Sequence, residues 1–174
     1  LITAFDVSEY SSRVGGEVKD FDPLEYIDRK EAKRMDRSSQ LAMAASLEAM
    51  KPLEATGYDG GDFGTVIASG IGGIQTFEQQ HTNLMEKGPS KISPFFIPMM
   101  IADMSSGLVS IRFGLRGPNF ATVSACASAG HGIATSFMMI RQGYTKGVLT
   151  GGTEGTISPM ALGGFCSMKA VGRL

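Results

Sequence analysis

The sequence predicts an α/β domain built around a substantially parallel β-sheet. Three observations carry this reading. Short β-branched or apolar runs, Thr65–Ala68 and Phe120–Ala125, lead into segments of helical length, and Gly147–Thr150 closes the alternation. The 174 residues are 43% hydrophobic, which supports one compact core and is too little chain for several domains. The 23 glycines follow no G-X-Y period, so they mark tight turns and close backbone approaches.

Val14–Phe21 alternates loosely and ends at Asp22-Pro23, the pattern of a short strand running into a turn. Asp28 is placed to cap a long helix reaching about Met50, because its carboxylate can accept from the free N–H groups of the first turn; Pro52 and Gly57 lie beyond. Thr65–Ala68 reads as a buried strand delivered into Gly70-Ile71-Gly72-Gly73. A helix from near Ile74 to Lys87 follows and is stopped by Gly88-Pro89. Pro94 and Pro98 exclude Ser93–Pro98 from a helix interior, since proline removes a donor and restricts its predecessor. A helix from about Met99 to Ile111 is ended near Gly114. The strand Phe120–Ala125, the helix Ala127–Arg141 with Gly143 as its stop, and the strand Gly147–Thr150 ending in Gly151-Gly152 complete the pattern.

Composition excludes several classes. Sixteen Lys and Arg against 17 Asp and Glu give a formal charge of -1, so no global field draws a nucleic acid or a membrane surface. Two Cys cannot supply the disulfide framework of a secreted scaffold, which points to a reducing, cytoplasmic compartment. The 2 Cys and 2 His form no close pair such as C-x-x-C, so neither a metal site nor a bound cofactor is expected. Apolar runs are broken by Pro, Gly, Asp or Arg well short of a membrane span. The chain opens at Leu1 without a charged and then apolar leader, and Gly172-Arg173-Leu174 closes no recognisable element, the pattern of a fragment.

The chemistry concentrates in Thr122-Val123-Ser124-Ala125-Cys126-Ala127-Ser128-Ala129-Gly130-His131-Gly132. A β-branched run enters a helix whose first turns hold Ala, Ser and Gly. Glycines at 130 and 132 each cost about 1 kcal/mol in a helix interior, a cost that close packing around a sharp turn offsets. Cys126 would then stand at the helix N-terminus, whose partial positive charge favours the nucleophilic thiolate. The alternative is an inert buried thiol. His131, five residues on, lies about 140° around the helix from Cys126 and so points away from the sulfur, suiting packing or a helix-to-helix hydrogen bond instead. His81 ends a polar stretch and suits the surface. Ser69-Gly70-Ile71-Gly72-Gly73 looks like a phosphate loop but carries Gln75 where G-x-G-x-x-G needs its last glycine. Cys166 suits a small core position. Lys30, Lys33, Arg34 and Arg37 recur at i, i+3, i+4 and i+7, placing them on one helix face that is either solvated or a docking surface for an acidic partner.

These segments, in this order, resemble one family. Ser69–Gly73, His81–Met85, Lys91–Pro98, Gly114–Pro118, the Ala125–Ser128 elbow, Gly151–Glu154, Pro159 and Gly163-Gly164-Phe165 together resemble a β-ketoacyl-acyl-carrier-protein synthase of the elongating type II group, from about Val14 to Phe165. The resemblance implies a thiolase-like α-β-α-β-α layered fold, of which residues 1–174 carry mainly the first half, without its opening strand and its C-terminal half. It implies Cys126 as the acylated nucleophile of a ping-pong condensation with malonyl-acyl-carrier protein in fatty-acid elongation. It further implies Ile71 as the gate of the acyl pocket, Phe165 as its wall and Ile97 as the position where a homodimer partner closes it. Lys30, Lys33, Arg34, Lys91 and Lys169 fall where the family meets the acidic acyl carrier protein. The family's two catalytic histidines, its lysine and a Gly-Phe-Gly oxyanion donor belong to its second half. Ala129 and Cys166 stand where the family commonly has glycine. A polyketide ketosynthase, a non-catalytic dimer-forming homologue and an unrelated cysteine hydrolase are the competing readings.

Overall fold

Three parallel strands form the sheet of the computed structural model, which describes residues 1–172: β1 (Phe63–Ala68), β2 (Asn119–Phe120) and β3 (Gly147–Gly152), in the order β2-β1-β3. Strand β1 pairs with β3 from Phe63↔Gly147 to Ala68↔Gly152, and with β2 only at Thr65↔Asn119 and Val66↔Phe120. In chain order the helices are α1 (Arg29–Ala32), α2 (Arg37–Glu54), α3 (Ile74–Lys87), α4 (Phe96–Met100), α5 (Met104–Phe113), α6 (Ser128–Arg141) and α7 (Pro159–Ser167). Alternate β1 side chains feed opposite faces. Ile67 joins Val109 of α5 and Ala42 and Met43 of α2 in the core cluster, while Val66 approaches Gly132 of α6. Both faces of the parallel sheet are thus covered, as the unbroken burial of Gly64–Ala68 requires.

The predicted helix from Asp28 to Met50 is two helices. Asp28 does cap, accepting from Lys30 N at 2.8 Å and Glu31 N at 2.9 Å, but α1 ends after one turn. Asp36 starts α2 afresh. Its Oδ1 accepts from Ser38 N and Ser38 Oγ, both at 3.0 Å, and its Oδ2 from Thr76 N at 2.9 Å and Thr76 Oγ1 at 2.7 Å. One buried carboxylate therefore ties the first turns of α2 and α3 together. Pro52 lies inside the last turn of α2, where its missing donor removes a single ladder bond.

Three further expectations change. Val14–Phe21 forms no strand, because the carbonyls of Val18 and Phe21 are taken by the Arg37 guanidinium at 3.2 and 3.3 Å rather than by a neighbouring strand. Helix 99–111 is interrupted: the Met100 carbonyl accepts from Gly73 N at 3.0 Å, which ends α4 before α5 begins, and α4 carries Pro98 within its first turn, where a donor is dispensable. The strand Phe120–Ala125 shrinks to two paired residues, since the chain beyond Phe120 turns toward α6. Helix α7 was not read from the sequence; Pro159 at its first turn and Ser158, whose Oγ accepts from Ala161 N, are its start signal.

Candidate active site

Cys126 stands in a single 3-10 turn, Ala125–Ala127, that joins the end of the β2 segment to α6. Ala125 takes φ +51°, a left-handed conformation costing a residue with a Cβ about 1–2 kcal/mol. The turn is braced from beneath by Ser128, which is buried. Its Oγ accepts from Ser124 N at 2.8 Å and donates to the Ala125 carbonyl at 2.7 Å, while Thr122 Oγ1 donates to the Ser128 carbonyl at 2.8 Å. These bonds offset the strain at Ala125 and lift Cys126 into an exposed position directly ahead of the α6 N-terminus.

His131 lies 2.6 Å from Ser124 Oγ through its Nδ1, so it hydrogen-bonds to the elbow loop rather than to another helix. No histidine among the described residues bonds the Cys126 sulfur. His81 is exposed and stacks on Phe77 at 6.3 Å. Cys166 is half-buried on α7.

Cys126 opens onto a cavity of about 470 Å³ that Ile71, Ala129, Glu154 and Phe165 also line. The structure thus gathers Cys126, Ile71 and Phe165, which lie up to 94 positions apart in the chain, around one mainly apolar space. Ala129 fits because residue 152 is glycine: a Cβ on Gly152 would meet the Ala129 methyl at 2.6 Å. A larger cavity of about 810 Å³, lined by Glu17, Arg37, Gln75 and Glu78 among others, has no cysteine in its lining. Ile97 is not at the Cys126 cavity; it sits on α4 with 53% of its surface exposed.

The loop bearing Ile71 is not the free hinge that its glycines suggest. Gly70 N donates to Glu154 Oε2 at 2.8 Å, Gly72 N to Ser69 Oγ at 2.9 Å and Gly73 N to the Met100 carbonyl at 3.0 Å. Gly72 has φ +76°, and a Cβ there would meet the Met100 carbonyl oxygen at 2.7 Å; one on Gly73 would collide with the Met99 carbonyl. Close backbone approach at Gly72 and Gly73, together with the left-handed backbone of Gly72, requires glycine here. With the N–H groups of Gly70, Gly72 and Gly73 engaged internally, the loop does not offer them to a phosphate. Glu154 enters the sequence pattern only as the last residue of the Gly151–Glu154 motif, with no role of its own; the signal for its role is the charged residue just past the Gly151-Gly152 strand terminus.

The basic residues do not share a single helix face. Lys30 is on α1, Lys33 caps its C-terminus and Arg34 lies in the break before α2. Arg34 stacks over Phe95 at 4.4 Å, bringing this segment against the one that carries Lys91, while Arg37 stacks over Phe21 at 4.5 Å. Lys30, Lys33, Lys91 and Lys169 are exposed. Among the described residues no group of three metal-ligating side chains occurs, and no helix is long and apolar enough to cross a membrane.

A parallel sheet with helices on both faces and an exposed cysteine on a strained strand-to-helix turn define an α/β protein that presents a thiol at a helix N-terminus. The chain belongs to the β-ketoacyl synthase family, whose N-terminal domain model matches residues 2–173. It is 47% identical over 172 residues to 3-oxoacyl-[acyl-carrier-protein] synthase 2 of Synechocystis sp., covering 98% of this chain and 41% of that protein. It is 45% identical to 3-oxoacyl-[acyl-carrier-protein] synthase 2 of Staphylococcus aureus (strain N315), covering 98% and 42%. The chain thus spans about two fifths of the length of these relatives. Its fold is that of a β-ketoacyl synthase from Burkholderia phymatum, at a TM-score of 0.81 and 24% identity over 94% of this chain and 40% of that one. A chain from a complex of a type II PKS acyl-carrier protein with its ketosynthase bound to the hexaketide matches at 0.82 and 20% identity, over 87% and 44%.

Proposed function

We propose that this chain is the nucleophile-bearing half of an elongating 3-oxoacyl-[acyl-carrier-protein] synthase. The observation that carries the reading is Cys126 on its braced turn, sharing one apolar cavity with Ile71 and Phe165. In this reading the Cys126 thiolate attacks the thioester carbonyl of an acyl-carrier substrate. The carbon–sulfur bond to the carrier breaks, the carrier thiol leaves with a proton, and the acyl chain lies in the cavity. Malonyl-carrier then loses CO₂, and its carbanion attacks the acyl-Cys126 carbonyl. The Cys126 thiolate is expelled and β-ketoacyl-carrier is released. The Cys126 backbone N–H, at the helix start, supplies one oxyanion donor, and the family's second half supplies the other with two histidines and a lysine.

The remaining assignments belong to the same reading. Helix α6 leaves Ile133, Phe137 and Met138 at least half exposed, the surface on which that second half would pack. Exposed Ile97 suits a homodimer contact closing the pocket, and a cytoplasmic enzyme fits the family and the two free thiols. The 45–47% identity to proteins named 3-oxoacyl-[acyl-carrier-protein] synthase 2 supports fatty-acid elongation over polyketide chemistry. Incubating the intact protein with acyl-carrier and mapping peptides by mass spectrometry tests the reading: the acyl group is expected on Cys126. An adduct confined to Cys166, or none, overturns it.

Two further outcomes follow. The Ile71 side chain is 44% exposed at the cavity wall and not locked in the core. Ile71→Phe is therefore expected to slow long-chain acylation of Cys126 at least about tenfold more than short-chain acylation, with little change in melting temperature. A uniform loss together with a lowered melting point would remove Ile71 from the gate. Carrier docking is tested at Lys30 and Lys33 and not at Arg34, whose stacking on Phe95 serves the fold. Reversing both charges is expected to raise KM for acyl-carrier roughly tenfold at low salt, with the effect shrinking as salt rises, while acyl-pantetheine kinetics change little.

A further inference from the structure

We propose that Glu154 is a positioning residue that sets how long an acyl chain Cys126 accepts, by clamping the loop that carries Ile71. The inference rests on the ketoacyl synthase reading above and deepens it. Both carboxylate oxygens of Glu154 are turned onto that loop. Oε2 accepts the Gly70 N–H at 2.8 Å and Oε1 the Ser69 hydroxyl at 3.2 Å. The same Ser69 oxygen accepts the Gly72 N–H at 2.9 Å, so one side chain reaches the backbone on both sides of Ile71. The approach is close enough that a Cβ on Gly70 would lie 2.8 Å from Glu154 Oε2.

The carboxylate is itself carried by a rigid segment. It follows β3 directly, where Thr153 N donates to the Ala68 carbonyl at 2.9 Å and Thr153 Oγ1 to the Ser38 carbonyl at 2.7 Å. Sheet, carboxylate and loop thus form a continuous chain of contacts ending at the wall of the Cys126 cavity, which Glu154 also lines. With Gly70, Gly72 and Gly73 all held, Ile71 can respond to a short chain by side-chain rotation alone. A chain too long for that needs the loop backbone to move, and moving it breaks the Glu154 bonds. Those bonds therefore weigh against long chains specifically.

The test measures Cys126 acylation by short- and long-chain acyl-carrier in the intact protein, with melting temperature and alkylation of Cys126 by a small haloacetamide as controls. Glu154→Ala is expected to raise the ratio of long- to short-chain acylation about tenfold, the scale of one charge-assisted hydrogen bond. Alkylation, which needs no loop movement, stays within about twofold. Glu154→Gln, whose amide can accept from Gly70 N–H and donate to Ser69 Oγ, is expected to restore the original ratio. If Glu154→Ala does not fold, Ser69→Ala, which removes the Gly72 leg, is expected to shift the ratio in the same direction. An unchanged ratio in these variants, or equal losses at all chain lengths with a lower melting temperature, overturns the clamp. A wild-type protein that never acylates Cys126 would instead overturn the function reading, and this inference with it.

Discussion

Cys126→Ala is expected to lower acyl transfer by roughly 10⁴-fold or more, the scale seen when a nucleophile acting in concert with its neighbours is deleted. The expectation follows from the braced elbow: Ala125 at φ +51° and the two bonds of Ser128 Oγ hold residue 126 in place whatever its side chain, so the substitution removes chemistry and leaves the fold. Melting temperature should barely move, since an exposed thiol packs little. Cys166→Ala should keep most of the activity. In the wild-type protein, an alkylating agent at neutral pH should label Cys126 well before half-buried Cys166, read by peptide mass spectrometry. Preferential labelling of Cys166, or an active Cys126→Ala protein, would remove Cys126 as the nucleophile.

The largest expected effect on stability is at Asp36. It is 2% exposed and accepts four hydrogen bonds, two from Ser38 and two from Thr76. Asp36→Ala strands the Ser38 and Thr76 donors in a buried site, each at about 1–3 kcal/mol, and uncaps α2 and α3 together. A loss of about 3–5 kcal/mol in denaturant unfolding is expected, a large part of the margin of an ordinary domain. Asp36→Asn keeps one acceptor oxygen and should recover part of it. Because α3 begins just after the Ile71 loop, a partly folded Asp36→Ala protein should also lose acylation at every chain length, unlike the chain-length-selective change expected at Glu154.

Much of this was legible in the sequence where the signal is local. The strand Thr65–Ala68, the helix Ile74–Lys87 and the helix after Cys126 each carry their own periodicity and stop residues, and the structure has them within a residue or two. The helix break at Asp36 was not legible. An Asp inside a helical pattern becomes a cap only when Thr76, 40 residues away, supplies its other two donors. Val14–Phe21 alternates as a strand does, yet a strand needs a partner, and here Arg37 takes the carbonyls instead. The shared basic face failed for the same reason as the long helix: i, i+4 spacing places residues together only while the helix is unbroken.

What the sequence by itself determined is the α/β alternation, the family, and Cys126 at a strand-to-helix turn, because each is encoded in neighbouring residues or in an ordered series of short motifs. The tertiary structure alone decided that Ile71, Cys126 and Phe165 border one cavity, that Gly72 and Gly73 answer to backbone contacts with Met99 and Met100, and that Glu154 holds that loop. Such contacts join residues far apart in the chain. They depend on where the parallel strands β1 and β3 set their C-terminal ends side by side, a matter of packing and register that no local pattern carries.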